Sequence, residues 1–104
     1  MNYFVVVCPD GNFSLRQSES AIYTHASCLT DDEGWGVLGF HKTAKSGLSA
    51  LKTYINRKVK YGKPAPYVSG VIETQQIDRK TYNDLKSGKI TGSDLVIGKV
   101  ETAL

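Results

Sequence analysis

Leu48, Leu51, Ile55 and Val59 stand three, four and four residues apart, the spacing of a single stripe on an α-helix. The pattern predicts a helix over Ala44–Tyr61, and it constrains the rest of the chain, because one apolar stripe must find an apolar sheet or helix to cover it. Gly62-Lys63-Pro64-Ala65-Pro66 ends the helix, since proline removes a backbone donor and pushes the residue before it into extended geometry. At about 100° per residue, Lys45, Lys52, Arg57 and Lys60, with the flanking Lys42 and Lys63, project mostly away from the stripe. Lys58 lies near it and has to snorkel past it to reach water.

The segments on either side read as strands. Tyr3–Cys8 is β-branched and aromatic, and Pro9-Asp10-Gly11-Asn12 after it supplies turn chemistry. Phe13–Gln17 alternates Phe and Leu with polar residues, so the first two strands are expected to form a hairpin. Ser18–Leu29 fits either period: Ile22, Thr24, Ala26 and Cys28 share a strand face, whereas Ile22, Ala26 and Leu29 share a helix face, and the strand is preferred. Trp35–Phe40 reads as a strand loosened by glycines, and Tyr67–Gln75 as a central strand. Asp78 is the expected N-cap of a short helix through Lys86, with Ile77 and Tyr82 as its staple and Gly88 as its stop. Leu95–Val100 is expected to close the chain as a strand. The fold class that follows is α+β: one domain over residues 1–104, with a mainly antiparallel sheet of about five strands carrying the long and the short helix on one face.

The charge is lopsided. No Asp or Glu occurs between Glu33 and Glu73, so residues 34–72 hold seven basic residues and no acid, while the other six basic and ten acidic residues leave the remainder at −4 within a formal total of +3. The longest apolar run, Phe4–Cys8, is far short of the roughly 20 residues that cross a bilayer, and no cationic segment precedes it as in a signal peptide. The expectation is therefore a cytoplasmic protein with no membrane partner, whose two cysteines stay reduced.

Candidate chemistry is thin. Cys8, His25, Cys28 and His41 are the best transition-metal ligands, and His25 and Cys28 are three residues apart, but the other two stand alone, so core thiols and surface histidines are the preferred reading and no metal or cofactor is expected. Cys28 with His41 and an acid from Asp31, Asp32 or Glu33 can be drawn as a nucleophile, base and orienting group, with no motif behind the drawing. The glycines of Gly34-Trp35-Gly36-Val37-Leu38-Gly39 are wrongly spaced for a dinucleotide fingerprint.

The stronger constellation is the cationic helix face, with Lys42, Lys45, Lys52, Arg57, Lys60 and Lys63, together with Tyr61 and Tyr67 and with Tyr54, which is close enough to the apolar stripe to be core instead. It is expected to make the chain a non-catalytic interaction protein that docks, through this face and the Pro64–Tyr67 loop, on a larger protein or nucleoprotein partner. The expected kind is an accessory or inhibitory protein of a mobile element, a class expectation for a small chain without a catalytic kit. The alternative is direct nucleic-acid binding, with cations on phosphates and a tyrosine stacked on an unpaired base. Lysines outnumber arginines, so such binding would be poorly sequence-specific. A thiol- or metal-dependent enzyme is the third reading, and a merely solvated basic surface competes with all three.

Overall fold

The structure is a computed structural model that describes residues 1–104. It contains β1 (Asn2–Val7), β2 (Phe13–Ser18), β3 (His25–Asp31), β4 (Gly34–His41), α1 (Ala44–Lys60), β5 (Ser69–Glu73), β6 (Gln75–Ile77), α2 (Arg79–Ser87), one turn of 3-10 helix (Gly92–Asp94) and β7 (Val100–Ala103). The fold is α+β as expected, but the single five-stranded sheet is replaced by two antiparallel sheets, one of three strands in the order β2-β1-β6 and one of four in the order β4-β3-β5-β7.

The reason lies in β1. Its apolar run is continuous because both of its faces are covered. Val6 and the following Cys8 pack against Ala26, Cys28 and Ile72 of the four-stranded sheet, whereas Val5 and Val7 pack against Leu85 of α2. The two sheets therefore stack face to face, α2 covers the outside of the smaller one, and α1 covers the outside of the larger one against β3, β4 and β5. The helices sit on different sheets at opposite ends of a four-layer stack, which corrects the expectation that they share one face.

Other departures have local causes. The strand expected within Ser18–Leu29 starts only at His25. Residues 19–24 form an irregular connection, anchored by Tyr23 against Phe4 and Phe40 at ring-centre distances of 5.6 and 6.1 Å. Tyr67–Gln75 is a strand only over Ser69–Glu73. At Thr74 the chain turns a corner from one sheet to the other, and the corner is pinned by the Thr74 N–H donating to the Thr24 carbonyl at 2.9 Å and by the Thr74 hydroxyl donating to the Tyr23 carbonyl. Leu95–Val100 is not the final strand. Gly98 donates to the Val7 carbonyl at 2.9 Å, and a Cβ placed there would lie 2.1 Å from that oxygen, so the segment crosses tightly over the end of β1 and pairing with β5 begins only at Val100.

Helix α1 forms where its period predicts. Thr43 caps it by accepting from the Ser46 N–H at 3.1 Å, and Arg57, Lys58 and Lys60 in its last turn complement the negative end of the helix dipole. Its buried positions are Gly47 and Leu51, with Leu48 and Ile55 half-buried, whereas Val59, near the C-terminal end of the helix, is 60% exposed. At Gly47 a Cβ would lie 2.8 Å from a methyl of Val71, and the Ser27 hydroxyl donates to the Gly47 carbonyl at 2.7 Å. That glycine lets the helix approach the sheet closely enough for a buried serine to be satisfied by the helix backbone. Helix α2 is capped as expected, by Asp78 accepting from the Thr81 N–H at 2.7 Å and by Gly88 at a φ of 82°. No helix is long and apolar enough to cross a membrane.

Candidate docking surface

Lys45, Lys52, Arg57 and Lys60 are exposed on the outside of α1, with Lys42 before it and Lys63 after it equally exposed. The structure's lysine–carboxylate pair, Lys80–Asp84, and the His25–Glu101 contact involve none of them. The cations do not form one stripe. Lys52 lies on the flank toward Pro66 and Ser69, while Arg57 lies on the flank toward β4, beside Leu38 and His41.

At the C-terminal end of α1, Tyr54, Arg57, Lys58, Tyr61 and Lys63 line a shallow groove of about 380 Å³. Here exposed cations and an aromatic ring share one concavity, and Tyr61 is 69% exposed. Lys58 and Tyr54 occupy helical positions close to the apolar stripe, so residue spacing alone does not separate a core position from a surface one for either. Lys58 does snorkel as expected, with its ammonium 5.2 Å from the centre of the Tyr54 ring, and this carries both side chains to the groove. Tyr67 stands apart from the groove. Its ring is 74% exposed, but its hydroxyl donates to the Asp32 carboxylate, which holds the phenol above its ordinary range. The Pro64–Tyr67 loop thus lies beside the acidic β3–β4 turn, and the two share a cleft of about 160 Å³ with Lys58. Further bonds stitch the loop to β3: Val68 N–H to the Thr30 hydroxyl at 2.9 Å, and Tyr67 N–H to the Thr30 carbonyl at 3.2 Å.

The other candidate residues are divided by the four-stranded sheet. Cys8 and Cys28 are free thiols buried between the sheets, and hydrogen bonding with Cys8 and burial together push the Cys28 thiol far above the range in which it would ionise. His41 lies on the helix side of the sheet, with Nδ1 3.2 Å from the Ser46 hydroxyl, so it does not reach Cys28. Both nitrogens of His25 are engaged, by Thr24 Oγ1 at 2.8 Å and Glu101 Oε2 at 3.0 Å. Nucleophile, base and acid are not assembled, and no cluster of three metal-ligating side chains occurs.

Burial lowers the His41 pKa below its ordinary value of about 6.5, so the folded protein favours the neutral ring. Below pH about 6.5 the unfolded chain takes up a proton that the fold resists, so the contribution of this histidine is complete above that pH and is lost as pH falls through the folded pKa. An NMR titration is expected to place the His41 midpoint below that of an unfolded histidine peptide. His41→Gln is expected to reduce the loss of denaturant resistance on acidification from pH 7.5 to 5.

By fold and surface, the chain is a four-layer α+β protein with an unneutralised cationic helix on one outer face. Comparison with protein-family models, with curated proteins and with solved structures returned no match.

Proposed function

We propose that this is a non-catalytic interaction protein that docks through the outside of α1, and through the groove at its C-terminal end, onto an acidic surface of a larger protein partner. The observation that carries this reading is that the exposed cations of α1 have no carboxylate partner within the chain. Their field is therefore available to an external acidic surface, where complementary charge speeds encounter and selects orientation. An accessory or inhibitory role on a larger assembly suits such a surface.

The test is capture of partners from the native host by the wild-type chain and by the double variant Lys52→Glu/Lys60→Glu, followed by measurement of the purified pair. The variant is expected to bind the captured partner about 10- to 100-fold more weakly at low salt, mainly through a slower association rate. If every captured protein survives the reversal, the basic face is a solvated surface and the proposal fails.

Nucleic acid is the second reading, favoured by Tyr61 sharing its groove with Arg57, Lys58 and Lys63. It predicts binding to a 20-nucleotide single strand with a log–log salt slope of about −2.8 for about four neutralised phosphates. A flat salt dependence removes it.

A further inference from the structure

Sheet edges are templates for pairing, and proteins ordinarily blunt them with charges, prolines, bulges or shortness. The four edge strands here are β2 and β6 in the small sheet and β4 and β7 in the large one. β2 carries Arg16, β7 is four residues long and carries Glu101, and β6 has three residues. β4 has eight residues, the most of the four, and none is Asp, Glu, Lys or Arg. Its first part is closed: the Trp35 N–H donates to Asp10 at 3.2 Å, and the Trp35 carbonyl accepts from Asn12 at 3.1 Å. Beyond that cap, the backbone of residues 36–40 has no hydrogen-bond partner outside its ladder with β3. The register skips Leu38 between Val37 and Gly39, a bulge that divides the open edge into residues 36–37 and 39–40 and leaves Leu38 39% exposed.

Alongside this edge runs a groove of about 440 Å³ between β4 and α1, with Leu38 and Ala50 as its apolar part and with Ser49, Thr53 and Arg57 as its polar part. Both walls come from the stretch of the chain that contains no acid. We propose that β4 captures an extended acidic segment of a protein partner as an added strand. Main-chain bonds form to residues 36–40, and alternate side chains of the segment, apolar and carboxylate, enter the groove against Leu38 and Arg57. A second copy of this chain is the disfavoured occupant. Two-fold pairing of β4 with β4 would put both α1 helices on the same side of the joined sheet, cation beside cation, with no acid in either wall to offset the repulsion. The inference deepens the docking reading but uses the flank opposite Lys52, so the two can fail separately.

The probe is a capped octapeptide, Thr-Val-Thr-Glu-Thr-Val-Thr-Glu, whose Val and Glu side chains share one face of the extended strand, added to the full chain while backbone amide signals and hydrogen exchange are followed. Saturable shifts and slowed exchange centred on residues 36–40 are expected. Alternate N-methylation of the peptide, Leu38→Lys and Arg57→Glu are each expected to weaken binding by at least about tenfold, and the same peptide with Lys in place of Glu is expected not to bind. Leu38 and Arg57 are both at the surface, and an unchanged far-ultraviolet spectrum confirms that each variant is folded. Absence of saturation at millimolar peptide, equal binding of the N-methylated form, or shifts confined to the Tyr61 groove overturns the proposal. So does concentration-dependent protection of β4 with dimerisation in the absence of peptide. Loss of partner binding in Lys52→Glu/Lys60→Glu alongside no peptide binding would leave the docking reading standing and remove this one.

Discussion

Phe4→Ala is expected to cost about 3–5 kcal/mol of folding stability, the range for emptying a buried phenylalanine site. Phe4 is 1% exposed, and its ring meets Tyr23 edge-on, which in turn meets Phe40 of β4. These three rings tie β1, the irregular connection before β3, and the edge strand β4 into one packed unit. Only 16 of the 104 residues are buried, and they are divided among three interlayer spaces, so few neighbours are available to collapse into the void. Against a total stability of about 5–15 kcal/mol for a domain of this size, such a loss is a large fraction. Urea denaturation is the measurement: the midpoint is expected to fall strongly with the slope unchanged. A loss below about 1 kcal/mol would mean that the two sheets are not held together by this ring.

Leu51→Ala is expected to cost about 2–5 kcal/mol, and with a different signature. Leu51 is the only large α1 side chain that is fully buried, with Gly47 one turn before it and Ile55 half-buried one turn after it. Removing it loosens the layer that carries the cationic face while leaving the contacts between the sheets in place. Native-state hydrogen exchange is therefore expected to show α1 amides opening at lower free energy than those of β1, a separation that Phe4→Ala should not produce. Val59→Ala is the matched comparison. Val59 belongs to the same sequence stripe, yet its exposure predicts a change within about 0.5 kcal/mol. Equal losses at the two positions would show that the helix is seated on the sheet differently.

The contrast between Leu51 and Val59 marks how far the sequence could be read. Periodicity located the helix and its capping turns, because those depend on side-chain spacing and backbone chemistry within a few residues. Asp78 and Gly88 act over that short range. Periodicity could not say which positions of the stripe the rest of the molecule covers, and Val59 is left facing water. In the same way, Val5, Val6 and Val7 announce a buried strand, but no local property of three valines states whether helix or sheet covers each side.

The candidate surface divides along similar lines. The acid-free window from residue 34 to 72 was visible in the residue order, and with it the exposed lysines of α1. Placing Arg57 and Lys52 on opposite flanks, drawing Lys58 and Tyr54 into a groove with Tyr61, and tying Tyr67 to Asp32 required knowing which neighbours flank the helix. The open edge at β4 was invisible for the same reason, since a strand is an edge only when nothing lies beside it.

By itself, then, the sequence determined the strand-rich beginning, the two helices with their ends, and a positive charge concentrated on one of them, because each follows from near-neighbour chemistry along the chain. Only the tertiary structure decided that the strands divide into two stacked sheets with one helix outside each. The pairing of β1 with β6, and of β5 with β3 and β7, joins residues far apart in sequence, and which of several similar apolar surfaces meet is settled by the packing of the whole molecule.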